Sequence, residues 1–307
     1  MLEIKGLTKE FAERRVVDNL CFSVERGEVL GFLGPNGAGK STSMKMITGF
    51  LTPTSGTATV LGHDILTDPL AAKSAMGYLP EGAPGYDDMT VEQFLLFIGR
   101  IRGLRGADLG RRLDEVTDLV HVREVSGQRI DTLSKGYRRR VGLAQAIIHD
   151  PEVLILDEPT DGLDPNQKQE VRDLICAMAE RKIIVISTHI LEEVQAVCTR
   201  AIIIANGRLL ADGTPEQLAA RSRHHGAVAI QAAGLDAAAL QSVPGVASVE
   251  TEGQTLVALP GADTDAQTLL GAIQQAARER QWQIAHLAPM QGRLDDVFRN
   301  ITQGTRT

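Results

Sequence analysis

Up to about residue 220, short β-branched or apolar runs alternate with segments of helical periodicity, the pattern of an α/β layer protein. EVLGFL (28–33) reads as a buried strand running into Gly-rich sequence, and KSTSMKMITGF (40–50) continues as a helix with Met44 and Ile47 on one face. VLIL (153–156) and IIVIS (183–187) have the length and β-branched content of two further buried strands. Between them, Val91, Phe94, Leu95 and Ile98, then Leu109, Leu113, Val116 and Leu119, recur at helical spacing with breaks at Gly103 and Gly106. A helical insertion over about 88–145 is therefore expected between sheet segments.

Beyond ADGTPEQLAARSRHHG the composition shifts towards Ala and Gln. AVAIQAA (227–233), VASVET (246–251), TLVALP (255–260) and QIAHLA (283–288) read as strands, with helices near 236–241 and 265–280 and a short one at 293–301. That β-α-β-β-α-β order predicts a small α+β, ferredoxin-like domain at 221–307 after a first domain at 1–220. His224 and His225, at the junction, are expected to point apart on an exposed linker and not to form a metal site.

Composition narrows the function classes. The chain has 307 residues, enough for a sizeable core, and a formal net charge of −7 that argues against broad binding to nucleic acid. Over 221–307 seven Arg stand against eight acidic residues, so nucleic-acid binding is not favoured there either, and a dimer-stabilising or regulatory module is expected. No apolar run approaches the ~18–20 residues a membrane span needs, and the start, MLEIKGLTKEF, lacks the apolar core of a signal peptide, so a soluble chain is expected. Cys21, Cys176 and Cys198 form no CxxC pair and are odd in number, which leaves buried reduced thiols as the default. Arg100, Arg102, Arg105, Arg111 and Arg112 crowd the helical insertion, and a solvated helical face is the expected reading.

Three stretches carry chemistry. GPNGAGKST (34–42) satisfies G-x-x-x-x-G-K-[ST] between a predicted strand and a predicted helix, the context a phosphate-binding loop needs. Gly34, Gly37 and Gly39 let the backbone of 34–42, Ala38 included, turn its N–H groups towards phosphate oxygens; Lys40 can reach the β- and γ-phosphates, and Ser41 can ligate Mg²⁺. VLILDEPT (153–160) is a buried strand ending in two carboxylates, with Asp157 suited to hold Mg²⁺ through water and Glu158 to activate the attacking water. His189 follows the strand of 183–187, and in an open α/β sheet ligands sit outside the carboxyl ends of the strands, where Lys40, Glu158 and His189 would converge.

Together GPNGAGKST, LSKGYRRRVGLAQAI, VLILDEPTDGLDP and ISTHILEE, in this order, resemble the nucleotide-binding subunit of ABC transporters. GYLPE (77–81), LSKGY and the ending LDDVFRNIT make the chain most similar to ATPases of ABC-2-type exporters, particularly the gliding-motility-associated group. The resemblance implies a P-loop NTPase core of ABC type with an antiparallel β part, ATP and Mg²⁺ as ligands, and ATP hydrolysis to ADP and phosphate. Gly34, Asn36, Gly37, Gly39, Lys40, Ser41 and Thr42 match its Walker A loop, Asp157 and Glu158 its Walker B pair, and His189 its switch histidine. Asp164 matches the D-loop, Phe11 the aromatic that stacks on adenine, and Glu81 the Q-loop position at Mg²⁺, where the family usually has Gln. The signature LSGGQ is LSKGY here: Ser134 and Gly136 are kept, and Lys135 and Tyr137 replace Gly and Gln.

The resemblance further implies two ATPase subunits, most simply identical, with each ATP held between one P-loop and the other subunit's signature helix, expected to begin near Tyr137. Ser134 and the Gly136 backbone would meet the γ-phosphate in trans, and at least one of Arg138 to Arg140 is expected to face solvent or the partner. A closing motion does work only on something attached, which implies a separate integral-membrane permease and a place at the cytoplasmic face of the membrane. The helical insertion, with Glu81 and the loop at 82–90, is the expected docking surface. An ABC-type switch acting on DNA or the ribosome stands against this, but only about 90 residues separate Walker A from the signature, with no sustained heptads, and one cassette is present. A small GTPase would need N-K-x-D, which the chain lacks.

Overall fold

Strand pairing in the computed structural model, which describes residues 1–83 and 85–303, follows the division into two compact units, Met1–Asp212 and Gly213–Thr307. The first unit holds two sheets. β1 (Leu2–Phe11), β2 (Arg14–Val24), β4 (Ser55–Val60) and β5 (His63–Asp64) form an antiparallel sheet in the order β2-β1-β4-β5. β3 (Val29–Leu33), β6 (Met76–Leu79), β7 (Val153–Asp157), β8 (Ile183–Thr188), β9 (Arg200–Ala205) and β10 (Arg208–Gly213) form the other, in the order β10-β9-β3-β8-β7-β6. Its run from β9 to β6 is parallel, and β3, β7 and β8 are buried along their whole length, hence their continuous apolar composition.

Helices α1 (Lys40–Ile47), α2 (Pro69–Ser74), α6 (Pro165–Ala179) and α7 (Leu191–Val197) connect these strands. The expected insertion is α3 (Val91–Ile101), α4 (Gly106–Leu119) and α5 (Lys135–Ile147); Pro84, in the expected loop at 82–90, lies outside the described residues. Two of its arginines depart from the solvated face expected of them. Arg102 donates to the Lys73 carbonyl (2.7 Å), and Arg112 donates to the carbonyls of Ile147 and Ile148 (2.8 and 2.9 Å) at the C-terminal end of α5.

The thiols depart too. Only Cys198 is buried; Cys21 and Cys176 are exposed, the first on an outward position of edge strand β2 and the second on the outer face of α6. Burial pushes the Cys198 thiol up to about 12.

In the second unit, α8 (Pro215–Ala219) precedes β11 (His225–Ala233), α9 (Ala237–Gln241), β12 (Val246–Glu252), β13 (Thr255–Pro260), α10 (Ala266–Glu279), β14 (Gln283–Gln291) and α11 (Leu294–Gln303). The antiparallel sheet order β12-β13-β11-β14 is that of a ferredoxin-like domain, with Leu240, Leu269 and Ile273 packed on Val228, Ile230 and Ala258. The exposed linker expected at His224 is not there. Its ring is 1% exposed, with Nδ1 on the Asp296 carboxylate and Nε2 3.0 Å from Glu250, while His225 is exposed. His224, Glu250 and Glu252 also approach as metal ligands could, but Arg223 pairs with Glu250 (3.0 Å) and Arg293 with Glu252 (2.5 Å), so guanidinium groups already neutralise those carboxylates.

Candidate active site

β3 delivers the chain into the P-loop and α1 starts at Lys40. A Cβ at Gly34 would lie 2.4 Å from the Ile204 carbonyl, and one at Gly39, where φ is +101°, would lie 2.8 Å from the Val16 carbonyl, so both positions need glycine for space. Lys40 is 6% exposed, and its ammonium donates to the carbonyls of Gly34 (2.7 Å) and Pro35 (3.3 Å). Burial lowers its pKa, while the carboxylates of Glu158, Asp157 and Glu81 favour its charge. A phosphate oxygen arriving at Lys40 therefore replaces neutral carbonyls, in a site already electrostatically tied to the Walker B pair. Asn36 and Gly37 are exposed, Ser41 and Thr42 half-buried, and Ala38 buried.

At the end of β7, Asp157 is fully buried and accepts from the Ser187 hydroxyl. Its other carboxylate oxygen, Oδ2, is buried with no hydrogen-bond partner. Leaving such an oxygen unpaired is costly, and a hydrated divalent cation supplies what it lacks; Asp157 thus fits Mg²⁺. Glu158 takes the left-handed backbone conformation (φ +52°), its N–H donating to Ser187 O at 3.0 Å. Non-glycine residues held there are strained, and such strain concentrates at functional sites. The Glu158 Oε1 lies 3.0 Å from His189 Nδ1, with the His189 side chain 47% exposed.

Glu193, not singled out from sequence, ties these strand ends together. Its carboxylate is 3% exposed and accepts from the hydroxyls of Thr188 (2.7 Å) and Thr160, one just before His189 and one just after the Walker B pair. The available signal was its position on the same α7 face as buried Val194 and Val197, where a carboxylate must find donors.

The signature residues gather separately. Ser134 caps α5, its Oγ accepting from the Tyr137 N–H at 3.3 Å, so the helix starts at Lys135 and not near Tyr137. A Cβ at Gly136 would lie 2.7 Å from Gln167 Oε1. Lys135 is exposed and lines a depression with Gly82, Ala83, Asp161 and Gly162; Asp164 caps α6, accepting from the Gln167 N–H at 2.9 Å. The basic island of 138–140 is largely internal: Arg139 is 4% and Arg140 8% exposed. Phe11 stands half-exposed at the end of β1 with Lys9 Nζ 5.2 Å from its ring centre. The structure thus brings Lys40, Asp157, Glu158 and His189 together with Glu81 in electrostatic range, and gathers Ser134, Lys135, Gly136 and Asp164 into a second group.

Residues 17–161 match the family model described as ABC transporter. The chain is 33% identical, over 98% of its length and 94% of the relative's, to "Nod factor export ATP-binding protein I" of Ralstonia nicotianae. The chain belongs to the ABC transporter family. It is also 38% identical, over 72% of its length, to "Probable multidrug ABC transporter ATP-binding protein YbhF" of Escherichia coli, and spans 38% of that relative's length. A solved ATP-binding subunit of an ABC transporter superposes with a TM-score of 0.67 at 30% identity, covering 71% of this chain and 91% of that one. The ABC cassette is an ATPase that takes ATP with Mg²⁺. No helix among the described residues of this cassette is long and apolar enough to cross a membrane.

Proposed function

We propose that this chain is the ATP-hydrolysing subunit of an exporter, paired with a second, identical ATPase subunit and joined at the cytoplasmic face of the membrane to a separate ABC-2-type permease. The observation that carries the reading is an apolar groove of about 540 Å³ walled by Phe50, Leu70, Tyr78, Ile98 and Ile101. Phe50 is 78% exposed, Leu70 82% and Ile101 63%, too much apolar surface in one concavity to be left to water. A cytoplasmic helix of the permease would lay an apolar face there. Ile98 and Ile101 belong to α3, so the groove keeps the proposed docking surface on the helical insertion. The Tyr78 hydroxyl, raised in pKa first by burial and then by the charges of Asp157 and Glu81, puts the groove in electrostatic contact with the Mg²⁺ site.

Under this reading Phe11 stacks on adenine, the P-loop from Gly34 to Thr42 holds the phosphates, and Glu81, Asp157 and Ser41 hold Mg²⁺, which neutralises charge building on the transferred phosphate. Glu158 orients and deprotonates water while His189 fixes that carboxylate. Ser134, Lys135, Gly136 and Asp164 meet the other subunit's nucleotide, so ATP closes the dimer and phosphate loss reopens it. The unit after Asp212 would steady the dimer or regulate it.

Copurification decides the matter. A polytopic membrane protein should come with the wild-type chain and be lost from an Ile101→Asp, Leu70→Asp variant that still binds ATP. Recovery of ribosomes or DNA in its place would overturn the reading.

A further inference from the structure

Arg139 is the least expected residue of the signature helix. It lies one turn into α5, is 4% exposed, and its guanidinium donates to three main-chain carbonyls: Pro80 (3.2 Å), Asp157 (3.0 Å) and, more closely, Glu158. Burying a guanidinium without a paired carboxylate costs several kcal/mol, and its Nε finds no acceptor, so this is not the arrangement that stability alone would select. The three carbonyls are not equivalent bystanders. Pro80 precedes Glu81, Asp157 ends β7, and Glu158 is the residue held at positive φ.

We propose that Arg139 is a positioning residue for ATP hydrolysis, fastening Glu158 in its left-handed conformation to the signature helix. The inference rests on the ATPase reading of Glu158 above. Three hydrogen bonds then define that residue: its N–H is held by Ser187 O, and its carbonyl is shared by the Asp161 N–H (3.1 Å), within the same loop, and Arg139, which alone ties it to the signature helix. Because Ser134 and Gly136 ride on the same helix, a shift of α5 when it engages a nucleotide in trans is passed to the catalytic carboxylate of its own subunit. One planar fork reaches Pro80 through Nη1 and both Walker B carbonyls through Nη2. An ammonium at that place is a point charge and lacks the fork.

The test uses the full chain carrying Arg139→Lys, alone and with Glu158→Gln. Expected are a fall in kcat of about tenfold or more, an ATP dissociation constant within about twofold of wild type, and less than about twofold further loss in the Glu158→Gln background, since the two act through one group. Wild-type kcat in Arg139→Lys overturns the proposal, as does parallel loss of melting temperature, ATP affinity and kcat that multiplies with Glu158→Gln. If Glu158→Gln itself leaves turnover intact, the ATPase reading has failed instead. Hydrogen exchange in the wild-type chain is a check needing no variant: ATP should slow exchange at 80–81, 134–140 and 157–161 together. Independent change of the three segments overturns the coupling.

Discussion

Under the proposed function Glu158 is the general base, and its surroundings suit that role. Its backbone is strained, its carboxylate is a hydrogen-bond length from His189, and the neighbouring Asp157 is occupied by Ser187 on one oxygen and free on the other for a cation. Glu158→Gln keeps size and hydrogen bonding but removes the base, so phosphate release should fall by about 100-fold or more while nucleotide binding stays near wild type. Equal losses in both would deny Glu158 that role. Elsewhere in the first unit His149 reports on burial. With its ring against the Met76 carbonyl (3.1 Å), burial first and the Arg102 charge second bring its pKa from 6.5 down to about 4. The unfolded chain therefore takes up the proton first as pH falls. The stability involved is complete above about pH 6.5 and drains away towards pH 4, on the order of 3 kcal/mol in all. Denaturant melts of His149→Gln across that window should show a flatter pH dependence than wild type.

Among elements, legibility tracked burial on both faces. β3, β7 and β8 are apolar runs because helices or sheet cover them on each side, and the P-loop and Walker B pair hang on their ends, so strand and site were read together. β1 and β2 were not readable in the same way. Their period of two is broken by register shifts between Ile4 and Leu7, Leu7 and Lys9, and Lys9 and Glu10. Arg139, Glu193 and His224 escaped because each is defined by partners distant in sequence, such as Pro80 and Asp157 for Arg139 or Glu250 and Asp296 for His224. Gly136 separates two demands on α5. A methyl group there meets the far end of the Gln167 side chain, which can swing aside, and Leu163 only at ordinary contact (3.5 Å). Gly136→Ala should therefore leave stability within about 0.5 kcal/mol. If the bare backbone of this turn faces the partner's nucleotide, ATP-dependent dimerisation measured by sedimentation should nonetheless weaken; unchanged dimerisation would leave glycine there for packing alone.

At the scale of the molecule, two separate cores imply two separable stabilities. The first unit's core centres on residues such as Leu30, Phe32, Met44 and Val185, and the second's on Val228, Leu269 and Ile273. Two calorimetric transitions are expected where one core would give one. The charges around His224 allow the second to be assigned. Burial works to raise the Asp296 pKa, but hydrogen bonds from His224 and Ser222 outweigh it and hold the carboxyl below its ordinary value. A depressed folded pKa means stability present above the unfolded value of 3.8 and lost as pH falls through the folded one. Asp296→Asn removes that contribution and leaves the buried His224 ring with one carboxylate partner, Glu250, in place of two. It should lower one transition at neutral pH, flatten that transition's dependence below about pH 4, and leave the other in place. A single transition that moves as a whole would mean that the two units unfold as one. Deleting 222–307 then asks what the second core is for: ATP-dependent dimerisation or turnover should change, and if dimerisation, turnover and transport are all unaltered, the unit neither steadies nor regulates the ATPase.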